Sequence, residues 1–465
     1  PEEGDVELST FGLKEAEVAE LVRAVTSRND ADPPLDHDSI EERFARATWT
    51  GIAEPGDRVA GAAIEAIGAA RALAAIVERW PLERFVALLG ENGAVSEKDL
   101  SDGMDRWMPR LNSGAALIAL RQAARIGATL RIPTDPDWPA GFAGLEHHAP
   151  IALWSRGTNE AFRALDRSIA LVGARAATGY GEHVTMEASA GLVDRGYAIV
   201  SGAAYGIDGM AHRAALASHG ITVAFLAGGV DRFYPAGHDA LLTRIVESGA
   251  VVSELPPGSP PTKWRFLQRN RLIAAASLAT IVLEAGWRSG SLNTAGHANT
   301  LGRPVGAVPG PVTSAASAGC HRLLREHLAE CVTNADEMAE LAPLLEPMAA
   351  AGAWSAASPA ASSTVSPPVS PPVSSPVSPS ASPSASPGAS TAAEREAPLV
   401  ATEAGPTHTR LADAMSTRAP RGAADIAARA GLTVAEVHGL LGRLELVGEV
   451  AERESGWIKV PARRT

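Results

Sequence analysis

Residues 168–202, SIALVGARAATGYGEHVTMEASAGLVDRGYAIVSG, decide the fold. They contain two apolar runs of strand length, SIALVG and YAIVSG, separated by a glycine-rich turn and a segment of helical pattern. Four further strand-like runs follow along the chain: TVAFLAGG, AVVSEL, ATIVLEAG and PVGAVPG. Helical segments (IDGMAHRAALASHG and GHDALLTRIVESG) separate the earlier runs. This alternation predicts an α/β protein with a doubly wound, mostly parallel sheet, in which ligands bind beyond the carboxyl ends of the strands.

Other patterns flank this core. We predict a flexible extension over residues 1–40, an all-helical domain of the SAM or helix-hairpin-helix kind over 41–128, and the α/β domain over 129–345. The Ser/Pro-dominated stretch 346–404 cannot bury enough apolar surface to fold and is expected to be an extended linker. Residues 405–465 show three helices and then two short β runs, the order of a winged helix. The predicted apolar stripe of its third helix consists of Val434, Val437, Leu440, Leu441 and Leu444.

Composition narrows the class of protein. The 465 residues carry a formal net charge of -12, and the acidity lies in the first 150 residues, whereas residues 260–330 are locally basic. Such a basic patch suits phosphate binding. The two cysteines, Cys320 and Cys331, suggest no disulfide framework and a reducing, cytoplasmic location. No secretory signal or membrane span is expected, since no uncharged apolar run reaches 18 residues.

Two strand ends carry candidate ligand-binding loops. The first, Gly173–His183, does not match the dinucleotide fingerprint but presents Arg175 before a helix N-terminus, which favours anions. A tight turn with a solvated arginine is an equally open interpretation. The second loop contains Ser201, Gly202 and Gly206, which let a ligand approach the backbone. We interpret Asp208 as a helix cap and His212 as structural rather than catalytic.

A basic and aromatic cluster lies further on, at WRFLQRNRLIAAAS (264–277). Basic side chains here suit phosphates, and Phe266 or Trp264 offers a stacking surface, a combination that holds single-stranded nucleic acid. The set of basic residues is Lys263, Arg265, Arg269 and Arg271. The alternative is a helix start with solvated charges and inward-facing aromatics. A later loop adds possible phosphate donors at Ser289, Gly290 and Ser291, next to Arg288.

Seven ordered blocks between about 130 and 338 resemble the DNA-processing protein A family (DprA, also called Smf). They are LVGARAATGYG, VSGAAYGIDGMAHRAAL, GGVDRFYPAGH, SELPPGSPP, FLQRNRLIAAAS, VLEAGWRSGSLNTAGHA and VPGPVTSAASAGCHRLLRE. The resemblance implies an extended Rossmann-like domain that binds single-stranded DNA, protects incoming strands in natural transformation and loads the RecA recombinase, acting as a homodimer. It implies no catalytic residue, cofactor or metal.

The resemblance also implies residue roles. Arg175 and Lys263 would hold phosphates and Phe266 would stack on a base, while Arg269, Asn270 and Arg271 would support the pocket or touch DNA. The expected DNA-binding set is completed by Gly173, Ser201, Gly202, Gly206, Ser289, Gly290 and Ser291. One position departs from the family, because the residue before Gly206 is often Arg and here is Tyr205.

Two other functions remain open. A nucleotide-binding enzyme would use the same glycine turns with Glu284 as its carboxylate. A double-strand DNA-binding regulator would act through the winged helix, but the third helix of that module offers only His438 and Arg443 as basic groups, so a protein-contact role is at least as good an interpretation.

Overall fold

The computed structural model describes residues 12–27, 34–89, 95–344 and 405–460. The chain divides into two units, one formed by Pro1–Pro343 with Ala404–Thr465 and the other by Leu344–Glu403. The predicted linker, residues 346–404, lies outside the described residues, so its extended form stays a prediction.

A nine-stranded sheet forms the centre of the first unit. Its strands are β1 (Thr129–Arg131), β2 (Leu153–Gly157), β3 (Ser168–Gly173), β4 (Ala198–Ser201), β5 (Thr222–Phe225), β6 (Ala250–Ser253), β7 (Ala279–Glu284), β8 (Val305–Ala307) and β9 (Glu330–Cys331). The spatial order is β1-β2-β6-β5-β4-β3-β7-β8-β9, with β3 to β9 parallel and β1 and β2 antiparallel at one edge. All six predicted strands are present, which confirms the doubly wound sheet; β1, β2 and β9 were not predicted.

The order of the strands creates a binding crevice. Strands β4, β5 and β6 lie on one side of β3, and the chain then returns to place β7 on the other side. Such a reversal is a topological switch point, where the connections that leave the two central strands diverge. The carboxyl ends of β3 and β7 therefore border an open crevice.

Helices cover both faces of the sheet. They are α8 (Asn159–Arg163), α9 (Gly179–Asp194), α10 (Ile207–Ala217), α11 (Asp239–Ser248), α12 (Lys263–Ala276), α13 (Ser291–Thr300), α14 (Ala318–Arg325) and α15 (Ala335–Glu340). Along β5, Val223 and Phe225 belong to one hydrophobic cluster and Ala224 belongs to another. This period of two shows that each face packs against its own layer. Leu272 and Ile273 of α12 fill the first cluster, and Leu242 of α11 fills the second.

The N-terminal region is helical, as predicted. Its helices are α1 (Glu15–Ala24), α2 (His37–Ile52), α3 (Arg58–Ile67), α4 (Ala69–Val77), α5 (Leu82–Leu89), α6 (Glu97–Trp107) and α7 (Ser113–Arg125). Their own core surrounds Trp49 and Trp107, whose rings meet edge to face at 5.1 Å. The expected flexible extension over 1–40 is wrong for the described residues 12–27. There α1 buries Val18 and Val22 in the cluster under the sheet, because these two positions share one helical face.

The C-terminal module is a winged helix, as predicted. It consists of α16 (Pro406–Ala414), α17 (Ala423–Ala430), α18 (Val434–Leu446), β10 (Val450–Arg453) and β11 (Gly456–Lys459). The stripe of α18 is buried at Val437, Leu440, Leu441 and Leu444. Val434 is an exception, since it is the first residue of the helix and is 40% exposed.

Five short 3-10 segments complete the described helical structure: Met108–Arg110, Ala140–His148, Ala164–Arg167, Ala236–His238 and Ala315–Ser317. Within the described ranges, no single helix is long and apolar enough to cross a membrane. The pair α3 and α4, which has a bend of 112° between its helices, reaches the length and apolar composition of a span only when the two are taken together.

Candidate nucleic-acid interface

A cavity of about 520 Å³ occupies the crevice between β3 and β7. Its walls come from the β3–α9 turn, the first turns of α10 and α13, the first three turns of α12 and the loop after β7. Arg175 and Arg288 supply exposed positive charge, and the hydroxyls of Ser289 and Ser291 lie 2.8 Å apart at one end. Helix α13 begins behind them without a side-chain cap, so its N-terminus is open to an anion.

The N-terminus of α9 is not an anion site, contrary to the sequence-based expectation. The buried carboxylate of Glu284 accepts hydrogen bonds from the main-chain N–H of Thr178 at 2.9 Å and from its hydroxyl at 2.7 Å. A Cβ at Gly181 would lie 2.2 Å from Glu284 Oε2, so the glycine makes room for this carboxylate. The Glu284 carboxylate therefore already occupies the N-terminus of α9, whereas the N-terminus of α13 has no side-chain cap.

Arg269 forms the floor of the cavity. It is 6% exposed and donates to the carbonyl oxygen of Gly202 at 2.7 Å and to that of Phe225. Burial lowers its pKa to about 10, which still leaves it charged at neutral pH. A Cβ at Gly202 would come within 2.4 Å of the guanidinium, so only glycine fits beneath it.

Among the residues that line the cavity, one carboxylate, that of Asp208, lies near this guanidinium. Asp208 is buried, and burial raises its pKa against the opposing pull of Arg269. Its Oδ2 accepts from Ala204 N at 3.3 Å within the preceding loop. Asp208 is therefore not the cap of α10, because Gly206 occupies that position with a φ of 76°.

The two residues after Arg269 have different surroundings. Asn270 lines the cavity, where its amide donates to Asn293 Oδ1 at 3.1 Å and braces the start of α13. Arg271 is 4% exposed and donates to Glu254 Oε1 at 2.7 Å, outside the residues that line the cavity.

The rim of the cavity is basic and aromatic. Lys263 is the first residue of α12 and is exposed, and Phe266 lies one turn further along the same helix. The guanidinium of Arg175 lies 5.4 Å from the centroid of the Phe266 ring, and that of Arg269 lies 5.8 Å away. Both guanidinium groups therefore lie within cation–π distance of the Phe266 ring.

The predicted site residues thus separate into two groups. Those that line the cavity are Gly173, Arg175, Phe266, Arg269, Asn270, Ser289, Gly290 and Ser291. Those that lie around it are Ser201, Gly202, Gly206, Lys263 and Arg271. Ser201 is buried and donates to Leu171 O, and Gly206 packs against Ala174 O.

Sequence reasoning missed one exposed aromatic at this rim, Tyr234, whose ring centroid is 5.5 Å from that of Phe266. It lies in the quoted block GGVDRFYPAGH, but nothing in the pattern distinguishes an exposed tyrosine from a buried one. In the described part of the chain, no group of three or more His, Cys, Asp or Glu side chains is placed to hold a metal ion.

A doubly wound sheet with a basic cavity at its switch point defines the Rossmann-like class of proteins, in which ligands bind at that position. Residues 129–343 match the family model of the DNA recombination-mediator protein A, and residues 384–456 match that of the DprA winged helix domain. The chain belongs to this DprA family.

Relatives agree with this assignment. A DNA processing protein DprA of Mycobacterium tuberculosis is 55% identical over 226 residues, which cover 46% of this chain and 58% of the relative. That of Streptococcus pneumoniae is 38% identical over 194 residues, covering 42% of this chain and 68% of the relative. The X-ray structure of DprA from Streptococcus pneumoniae superposes with a TM-score of 0.51 at 26% identity, covering 64% of this chain and 97% of that one. The matched segment therefore spans little more than half of the mycobacterial relative.

Proposed function

We propose that this protein binds single-stranded DNA across the cavity and the adjoining start of α12. The observation that carries the proposal is the joint placement of three arginines, an open helix N-terminus and an aromatic ring in one crevice. Arg175, Arg288 and Lys263 provide charge for phosphates, and Phe266 provides a face for a base. An exposed base requires an unpaired strand, because a duplex hides its base faces in the stack.

The enzyme alternative depends on Glu284. Both carboxylate oxygens of Glu284 accept hydrogen bonds from Thr178, and the side chain is 2% exposed. A carboxylate held in this way stabilises the β3–α9 turn instead of facing a substrate. Titration with ATP and with NAD tests this alternative directly, and submicromolar binding of either would favour it.

The decisive experiment removes two charges at the site and, in a control, two charges elsewhere. Arg175→Ala combined with Lys263→Ala should weaken oligothymidine binding at least tenfold at low salt. The slope of log K against log salt should become shallower by about 1.4, since each phosphate contact to a single strand contributes about 0.7.

The matched control is Arg244→Ala with Lys98→Ala, which removes equal charge at exposed positions of α11 and α6 outside the cavity lining. Its affinity and slope should stay close to those of the wild type. Equal losses in the two double variants, or no loss in either, would reject the site.

We further infer that the DNA-bound protein loads the RecA recombinase, in natural transformation or general recombination. The family model, described as a recombination mediator, supports this inference. The test is whether the protein accelerates DNA-dependent ATP hydrolysis by RecA on strands covered with single-strand-binding protein.

A homodimer in the cytoplasm is part of the same proposal, and light scattering measures its mass. The unpaired thiols of Cys320 and Cys331 suit a reducing compartment.

A further inference from the structure

Two tyrosines at the rim of the cavity expose large ring surfaces. Tyr205 follows β4 and is 49% exposed, and Tyr234 follows β5 and is 52% exposed. Neither phenol hydroxyl has a hydrogen-bond partner within the described residues. Large aromatic surfaces contribute most to stability when they are buried, so core packing does not explain these two rings.

Tyr234 forms one surface with Phe266, and Tyr205 lies on the neighbouring loop. Tyr234 contacts the ring of Phe266 at 5.5 Å. Tyr205 packs edge to face against His238 at 4.8 Å, and its hydroxyl lies close over Gly237, where a Cβ would be 2.6 Å away. His238 is buried and bonds to Ala203 O at 3.0 Å, which fixes the position of Tyr205.

The loop of Tyr205 also adjoins the cavity. The residue after Tyr205, Gly206, lies so close to the β3–α9 turn that a Cβ there would be 2.2 Å from Ala174 O. The next residue, Ile207, donates its N–H to the same oxygen at 3.1 Å. The loop that carries Tyr205 is therefore held against the turn that carries Arg175.

Other exposed aromatics have partners of their own. Trp287 is 59% exposed, but the guanidinium of Arg322 covers its ring at 5.1 Å. Tyr180 is 38% exposed, and its hydroxyl donates to Pro309 O at 2.6 Å. The contrast singles out Tyr205 and Tyr234 as rings that are about half exposed and whose hydroxyls have no hydrogen-bond partner within the described residues.

We propose that Tyr205 and Tyr234 extend the Phe266 ring into a stacking surface for successive bases of a strand whose phosphate occupies the cavity. This inference rests on the proposed binding of single-stranded DNA and adds the path that the strand takes. The strand leaves the cavity over Phe266 and Tyr234 toward Tyr205, away from Trp287. Stacking on uncharged rings makes this part of the binding dependent on bases and nearly independent of salt.

The experiment compares oligothymidine with an oligonucleotide of equal length that carries abasic sites. The two probes have the same phosphates, but only the first has faces that stack. The variants are Tyr205→Ala with Tyr234→Ala, and Tyr205→Phe with Tyr234→Phe. The alanine pair should lose affinity for oligothymidine by on the order of tenfold or more, and it should bind the abasic probe as the wild type does. The phenylalanine pair should bind both probes like the wild type.

Each other result has a definite meaning. Equal loss of both probes by the alanine pair would show that the tyrosines shape the cavity and do not stack, and it would overturn the inference. Undiminished oligothymidine binding by the alanine pair would overturn it too, while leaving the phosphate site intact. A wild-type protein that binds neither probe would overturn the proposed function itself. Melting temperatures of all variants, compared with the wild type, identify any loss of fold.

Discussion

The main-chain N–H of Trp264 donates a hydrogen bond of 3.0 Å to Oδ2 of Asp413. This contact places a carboxylate of the winged helix at the N-terminus of α12, between the proposed DNA contacts Lys263 and Phe266. Arg410, one turn earlier on α16, lies 5.7 Å from the Trp264 ring. Because a helix N-terminus favours negative charge, Asp413 would compete for this region with a phosphate of the proposed DNA strand.

Removing the charge of Asp413 should therefore strengthen DNA binding. Asp413→Asn keeps an oxygen that can accept from Trp264 but removes the negative charge beside Lys263. An increase in oligothymidine affinity of about two- to fivefold at low salt is expected, because a charge at a helix terminus contributes about 0.3–1 kcal/mol. Fluorescence anisotropy measures it.

The control for this variant is Asp425→Asn, which neutralises an exposed carboxylate of α17 that pairs with Arg429 at 2.9 Å. Equal gains in the two variants would indicate a general charge effect. A weaker affinity in Asp413→Asn would show that the docked winged helix supports binding.

Glu54 connects the helical domain to the start of α12. Its carboxylate accepts from Arg265 at 2.8 and 3.2 Å and also from Arg110. Burial by itself raises the pKa of Glu54, but the two guanidinium groups outweigh it and lower the pKa to about 2. Glu54→Gln should decrease the free energy of the first unfolding transition by about 3 kcal/mol at pH 7, because two partly buried cations lose their partner.

The pH dependence of stability tests whether the pKa of Glu54 is lowered in the folded protein. A depressed carboxyl pKa contributes stability that is complete above the unfolded value near 4.5 and is lost as the pH falls toward about 2. The difference between wild type and variant should shrink over that window in urea titrations. Glu17→Gln, which breaks the exposed pair with Arg121, should change stability by less than about 1 kcal/mol at any pH.

Local pattern predicted the parallel strands and their helices because buried apolar runs and glycine turns are properties of neighbouring residues. The same pattern did not predict α1, whose helix is stabilised by the contacts of Val18 and Val22 with the layer under the sheet. Strand β1 has three residues and β9 has two, too few to show a period.

The site was predictable as a set of strand ends but not in its division of roles. Arg269 and Arg271 look equivalent to Lys263 in the sequence, yet both are buried and bonded to the protein itself. The Glu284 carboxylate at the start of α9 joins residues more than 100 positions apart, and no local signal reports it. The contact of Asp413 with Trp264 likewise joins residues that are far apart in the sequence.

His212 is a buried titratable group whose environment agrees with its interpretation as a structural residue. The imidazole is fully buried, and its Nδ1 lies 2.6 Å from Thr222 Oγ1, which itself donates to Ile199 O. Burial, with smaller repulsion from His238 and Arg269, lowers the pKa of His212 to about 3. The folded protein therefore holds a neutral imidazole, whereas the unfolded chain takes up a proton below pH 6.5.

The stability that His212 contributes is complete above pH 6.5 and is lost as the pH falls toward 3, by about 1.4 kcal/mol per pH unit. His212→Asn keeps a donor for Thr222 but does not titrate, so its unfolding free energy should depend less on pH between 6.5 and 4. His183→Asn, which makes the same substitution at an exposed position of α9, is the matched control. Parallel curves for wild type and His212→Asn would contradict the depressed pKa.

Replacing Tyr205 with arginine exchanges an aromatic ring for a positive charge. Tyr205→Arg places a cation on the loop that is held against the turn of Arg175. If the ring stacks on a base, the variant should discriminate less between oligothymidine and the abasic probe. If the added cation also reaches a phosphate, binding of the abasic probe should strengthen and its salt slope should steepen by about 0.7. Leu446→Arg, which adds the same charge at an 88% exposed position of the winged helix, controls for net charge. An unchanged ratio between the two probes in Tyr205→Arg would show that the ring makes no contact with bases.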